Sequence, residues 1–298
     1  MVKNIDMKKV IILLVLIIGF TSCKDFKKGV EDGYNDAKEE AEAEKAEVKL
    51  YALDGGSVLV NNLVVFSQDT TYTGQTKKFA DAYYVISHPE GNLIWDAGLP
   101  EAMVLEEPFT DPTGVFTVQR PDSLQNQLKS IGFKIEDFKY IALSHSHFDH
   151  IGHANYFKEA TWLVQENEYN FVTNDSAKVK NADTYNYIKE LTNVKKLNGD
   201  FDVFGDGTVV IKSMPGHTIG HQVLYLDLGL EKPILLTGDL YHFQENRDNK
   251  GVPIFNYSLE QTLLSMDKFE AFAKEKNAEV IIQHSADDFK KLQNILKQ

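Results

Sequence analysis

From Val48 onward the chain alternates short apolar runs with turn residues. The runs Val58–Phe66, Ala82–Ile86, Leu93–Trp95, Tyr140–Leu143, Val209–Ile211, Val223–Leu226, Ile234–Leu236 and Val280–Ile282 read as strands. Between them, Ser123–Ile131, Asn167–Val172, Leu259–Phe272 and Asp287–Leu296 carry apolar residues at helical spacing. Strands in runs with helices interspersed predict an α/β layered domain. No repeat of 20–50 residues is present. The stretch from Pro100 to Pro121 holds four prolines and little periodicity, so it reads as a long surface loop, either a lid over a site or an inert insertion.

The first 47 residues follow another pattern. Lys8 and Lys9 precede an apolar run of 11 residues, Val10 to Phe20, which has the length of a signal-peptide core and is too short to span a bilayer comfortably. The run meets Phe20-Thr21-Ser22-Cys23, which resembles the lipobox of bacterial lipoproteins. The resemblance implies that residues 1–22 are removed, that Cys23 is acylated, and that the protein is anchored by lipid in the bacterial cell envelope, on the outer membrane or facing the periplasm, with display at the cell surface as an alternative. The plainer alternative makes Cys23 incidental. Residues 23–47 then form a charged tether with too little apolar surface to fold alone, and 48–298 the functional domain.

Composition narrows the choice of partner. The 298 residues are 43% hydrophobic and 11% aromatic, which excludes a disordered chain. A single cysteine excludes a disulfide framework and a multi-cysteine zinc cluster. With 44 acidic against 31 basic side chains and a net charge of −13, the surface is unsuited to nucleic acid, whose phosphates call for a basic patch. A small-molecule partner is expected instead.

The chemistry is concentrated in Ser144-His145-Ser146-His147-Phe148-Asp149-His150-Ile151-Gly152-His153. His145 and His147 stand two apart at the end of a predicted strand, so they project to one side. Asp149 and His150 fall where the chain turns into a helix. Imidazole with carboxylate suits zinc and similar first-row ions, whereas magnesium or calcium prefers oxygen alone. Four candidates in six residues exceed the three that one catalytic zinc needs. Further ligand types follow predicted strands downstream: His217 in Pro-Gly-His-Thr, Asp239 in Thr-Gly-Asp, and His284 in Gln-His-Ser. Strand ends are where a layered α/β domain opens its site. Taken singly, Asp149 reads as a helix cap and His217 as a turn residue. Five histidines and two aspartates in this order are enough for two metals.

The order HxHxDH, Gly-His, Gly-Asp, late His resembles the metallo-β-lactamase-fold hydrolases, and within them the N-acyl-homoserine lactonase branch. HPEGN at 88–92 running into IWDAGL at 94–99, HSHFDHIGH, and PGHTIGHQ at 215–222 support it. The resemblance spans roughly Leu50 to His284. It implies an αβ/βα sandwich, with His145, His147 and His217 on one metal, Asp149, His150 and His284 on the other, and Asp239 bridging. Two Zn²⁺ are expected, with Mn, Fe or Co as alternatives. Asp96 then supports the metal shell by hydrogen bonding, or is a simple turn residue. His153 and His221 exceed the ligand count and read as supporting or helix-face residues. Such lactonases carry a tyrosine near the bridging aspartate that assists at the substrate carbonyl, commonly three positions on. Here Tyr241 is two positions on and His242 is three, so both are candidates.

The implied reaction opens a lactone with a metal-bridging hydroxide as nucleophile and Asp149 orienting it or relaying its proton, as quorum quenching requires. A β-lactamase or another ester or thioester hydrolase is the alternative. Asp239 speaks against the all-histidine β-lactamases, and the 14 residues after His284 are too few for the added helical domain of glyoxalase-type thioesterases. A non-catalytic metal-binding lipoprotein is a third reading. Met103, Val104, Leu105, Phe109, Val115 and Phe116 in the proline-rich stretch offer either an apolar wall for an acyl tail or ordinary packing.

Overall fold

A computed structural model describes residues 48–104 and 107–297, all within the compact unit Glu47–Gln298. The signal-like segment, Cys23, the tether and Leu105 lie outside the described residues. The strands are β1 (Lys49–Val60), β2 (Lys77–His88), β3 (Gly91–Trp95), β4 (Phe109–Thr110), β5 (Phe116–Gln119), β6 (Phe138–Ala142), β7 (Thr161–Gln165), β8 (Val194–Leu197), β9 (Phe201–Asp202), β10 (Val209–Ser213), β11 (Gln222–Leu226), β12 (Ile234–Leu236) and β13 (Glu279–Ile281). They form an 8-stranded sheet ordered β4-β5-β1-β2-β3-β6-β7-β8 and a 5-stranded sheet ordered β13-β12-β11-β10-β9.

The two-residue period of β2 shows how the layers arise. Ala82, Tyr84 and Ile86 face the second sheet and join Trp95, Ile211, Leu224, Leu236 and Ile281 in a shared core. Tyr83 and Val85 point the other way, onto Leu124 and Leu128 of the helix Leu124–Ser130. Behind the second sheet, Met266, Phe269 and Ala273 of the helix Leu259–Glu275 cover Val223, Leu235 and Val280. Both sheets are therefore covered on both faces, in a helix–sheet–sheet–helix sandwich. This is the expected αβ/βα architecture.

Two expectations need correction. The run Val58–Phe66 is not one strand: β1 ends at Val60 and Leu63–Phe66 is a 3-10 turn. Nor is the stretch from Pro100 to Pro121 a free loop, since β4 and β5 form a hairpin that pairs with β1 through Val58↔Val118. Its four prolines all fall outside the two strands, where they remove no ladder hydrogen bond.

Candidate metal centre

All seven predicted ligands arrive from the C-terminal ends of strands. β6 runs out at Ala142 into a turn bearing His145 and His147, then into the helix Phe148–Ile151 with Asp149 and His150. β10 leads to His217, β12 to Asp239 and β13 to His284. The His217 turn presses on the following helix. Gly216 sits at φ 140, and a Cβ there would lie 2.3 Å from the backbone nitrogen of Thr262, so only glycine fits.

The seven side chains form two groups that share Asp239. In the first, His147 Nδ1 stands 2.9 Å from His145 Nε2 and 3.0 Å from His217 Nε2. Asp239 Oδ2 lies 3.5 Å and 3.4 Å from those two Nε2 atoms. In the second, Asp239 Oδ1 is 3.1 Å from His150 Nε2 and 2.9 Å from His284 Nε2. The Asp149 carboxylate is 3.8 Å from each of the same two nitrogens. One carboxylate thus offers one oxygen to each histidine group. For comparison, nitrogens set tetrahedrally around zinc stand roughly 3.3 Å apart.

Hydrogen bonds on the outer side of the rings fix which nitrogen faces inward. His150 Nδ1 donates to Asp96 Oδ2 at 3.0 Å, His284 Nδ1 to the carbonyl of Ala80 at 2.8 Å, and His217 Nδ1 to Asn256 Oδ1 at 3.2 Å. Each ring is left with an Nε2 lone pair aimed into the cluster, the form in which imidazole binds a metal. His150 Nε2 and Asp239 Oδ1 are buried and face each other at 3.1 Å. Without an ion this pair is held together by a retained proton, and the same two atoms are well suited to a cation in its place. The donor set fits a pair of first-row ions.

Without an ion, the two groups titrate in opposite directions. Burial, with neighbouring imidazoles, pushes His145 and His217 well below the ordinary histidine range, and His147 below it. Burial also acts on His150 and His284, but nearby carboxylates outweigh it and hold His150 well above that range and His284 at about 9. Asp239 is driven up by burial and more strongly down by the surrounding histidines, ending well below the usual carboxylate range.

The supporting residues divide clearly. Asp96 is fully buried, adopts φ 60, accepts from the Ser144 N–H at 2.6 Å and from Gln283 Nε2 at 2.7 Å, and holds His150. It supports the ligands and does not merely make a turn. His221 accepts from the Asp239 N–H at 3.0 Å and donates through Nδ1 to the carbonyl of Met214, so it holds the bridging residue. His153 bonds to the carbonyl of Ala97, one residue beyond Asp96, and to Glu101, and so braces the loop instead of a ligand. Tyr241 does not face the site, contrary to its candidacy. It is buried against Phe269 behind the second sheet, with its hydroxyl bonded to Glu270. Gly238–Leu240 forms a 3-10 turn, which sets residues three apart on the same side, and His242 Nε2 lies 3.1 Å from Asp239 Oδ2.

Gln283 and Glu168 escaped the sequence reading. Gln283 adjoins a ligand, so its position was a usable signal. Glu168 lies in the first turn of the helix Glu166–Thr173, where acidic residues are ordinary, so it gave none. A pocket of about 150 Å³ opens on the cluster between His147, Asp149, His242 and His284, with Val58, Phe66, Phe79, Phe116, Phe148 and Phe255 as walls. Of the suggested apolar wall, Phe116 lines this pocket, Met103 is packed against the neighbouring core, and Phe109 is exposed.

Residues 77–284 match the metallo-beta-lactamase superfamily. The chain is 30% identical over 264 residues to the N-acyl homoserine lactonase AttM of Rhizobium radiobacter, covering 82% of this chain and 97% of that protein. It is 32% identical over 234 residues to an N-acyl homoserine lactonase of Bacillus sp, covering 76% and 90%. Among solved structures it superposes on an N-acyl homoserine lactone hydrolase with N-hexanoyl-L-homoserine bound at the catalytic metal centre. The TM-score is 0.69 and the identity 26%, covering 82% of this chain and 95% of that one.

Proposed function

The chain belongs to the metallo-beta-lactamase superfamily, and on that premise we propose that it is a dinuclear, zinc-dependent lactonase that opens N-acyl homoserine lactones or close relatives. The observation that carries the reading is the placement of Asp239, with one oxygen toward His145 and His217 and the other toward His150 and His284. A carboxylate shared in this way separates the site from the all-histidine β-lactamases. When bound, the metal pair supplies water acidic enough to act as a nucleophile near neutral pH and polarises the carbonyl under attack.

The protein's own residues do the rest. Asp149 reaches the pocket on the second-group side, where it can orient the attacking water and accept its proton. His242 presents Nε2 beside Asp239 Oδ2, a donor for the carbonyl oxygen or the departing ring oxygen. Phe66, Phe79, Phe116, Phe148 and Phe255 form an apolar recess that excludes water and accepts an acyl chain. The lipobox-like run ending at Cys23 belongs to the same proposal, since a lipid-anchored lactonase in the cell envelope meets diffusible signals. Cys23→Ser should move the protein from the membrane fraction to the soluble one; unchanged fractionation would end that part.

The test is ring opening measured by proton release and product chromatography. The zinc-loaded protein should open acyl lactones and leave nitrocefin largely intact. Intact lactones across a panel of chain lengths, or rapid nitrocefin turnover, would reverse the assignment.

A further inference from the structure

Outside the ligand set, one buried charge has no role in the chemistry above. Glu168 is 3% exposed, yet it forms no ion pair among the described residues. Its Oε1 accepts from the backbone N–H of Ser146 at 3.1 Å and from the Ser146 hydroxyl at 2.6 Å. Its Oε2 accepts from the backbone N–H of Gly220 at 2.8 Å. Ser146 is the residue between His145 and His147, and Gly220 closes the turn that carries His217. Both turns of the first ligand group thus hang from the two oxygens of one carboxylate. The close approach is specified on the other side as well. A Cβ at Gly220 would lie 2.5 Å from Glu168 Cβ and 2.8 Å from its backbone nitrogen, so the turn reaches the helix only because it carries glycine there.

We propose that Glu168 is a positioning residue that sets the separation of the His145–His147 turn from the His217 turn, and thereby the affinity of the first metal position and not the second. The inference rests on the dinuclear reading of the site. Its physical basis is the donor count. Three N–H and O–H donors from two turns converge on one side chain, and only a carboxylate presents acceptors to both. A glutamine has one acceptor oxygen; whichever way it turns, its amide N–H groups oppose a backbone N–H of one turn or the other. The second group has no such dependence, because His150 is held by Asp96 and His284 by the carbonyl of Ala80.

The experiment is a zinc titration of the full chain against a chromophoric chelator, with the steps assigned by His217→Ala and His284→Ala. In Glu168→Gln the first-group affinity should fall about 10- to 100-fold, while the second-group affinity stays within about threefold. The kcat should fall with KM little changed, and excess zinc should restore it. Ser146→Ala, which deletes one hydroxyl and keeps the N–H, should show a smaller loss at the same step and serves if Glu168→Gln does not fold. Unchanged affinities, or equal losses at both positions accompanied by a lower melting temperature of the metal-free chain, would overturn the proposal. A wild-type chain that takes up no zinc would instead sink the metal reading itself.

Discussion

On the Oδ2 side of Asp239 stand three ligand imidazoles, the His242 ring and no further carboxylate ligand; on the Oδ1 side stand two imidazoles with Asp149 beside them and Asp96 behind. The first group is held from outside the sheets, by Asn256 of a loop on the His217 ring and by Glu168 of a helix on both turns. The second is held from the first sheet, by Asp96 at the end of β3 and by the carbonyl of Ala80 within β2. The contrast shows that a symmetric list of ligands conceals two different electrostatic problems. The first group consists of neutral bases packed together, whose cost is desolvation. The second has excess negative charge and retains protons until a cation displaces them.

Removing the shared residue tests the comparison most severely. Asp239→Ala should empty both positions and reduce lactone turnover to background, read by elemental analysis alongside activity; full retention of either ion would show that the groups are independent. Asp96→Asn should act on one side only. It weakens the acceptor for the His150 ring and should cost about 10- to 100-fold in second-group affinity with the first group nearly untouched, measured by the same zinc titration.

The opposed titrations give a smaller effect, visible in the chelator-treated protein. His284 has a folded-state value of about 9, above its unfolded value near 6.5. Between those values the folded chain holds more protons, so its contribution is fully present below about pH 6.5 and is lost as pH rises through 9. The stability of the metal-free chain against denaturant should therefore fall over that range, by as much as about 3 kcal/mol. His284→Asn should flatten the slope. A second effect of the same sign belongs to Asp81, next to Ala80 in β2, which burial and the Asp149 charge raise to about 7. Its unfolded value lies near 3.9, so stability should fall between about pH 4 and 7, by no more than about 1.4 kcal/mol per pH unit. Asp81→Asn should remove that fall, leaving a gain over wild type that is larger at pH 7.5 than at pH 5.

The ligands were legible in the sequence because their geometry is local. His145, His147, Asp149 and His150 come from one strand-to-helix turn, and His217, Asp239 and His284 each follow a recognisable apolar strand. The layered architecture was legible for the same reason, since β2, β6, β11 and β12 are buried on both faces. What failed depends on tertiary context. β5 has only four residues within a proline-rich stretch, and it becomes a strand by pairing with β1. Glu168 looks like any acid in a first helical turn until the His217 turn folds onto it. Tyr241 and His242 are adjacent; the chemistry expected of a tyrosine favoured the first, and the 3-10 turn after Thr237 puts the second, three on from Asp239, beside the site.

The parallel pairing of β12 with β13 has a consequence for the order in which the protein can be made. His284 enters only when β13 docks at the outer edge of the second sheet, so the second metal position cannot exist on a nascent chain until β13 has left the ribosome. The HxHxDH turn, synthesised long before, must wait with its bases uncompensated or take up an ion incompletely. A chain truncated just before β13 would thus be more than an enzyme lacking one ligand. It would be an exposed cluster of imidazoles able to scavenge metal without turning anything over.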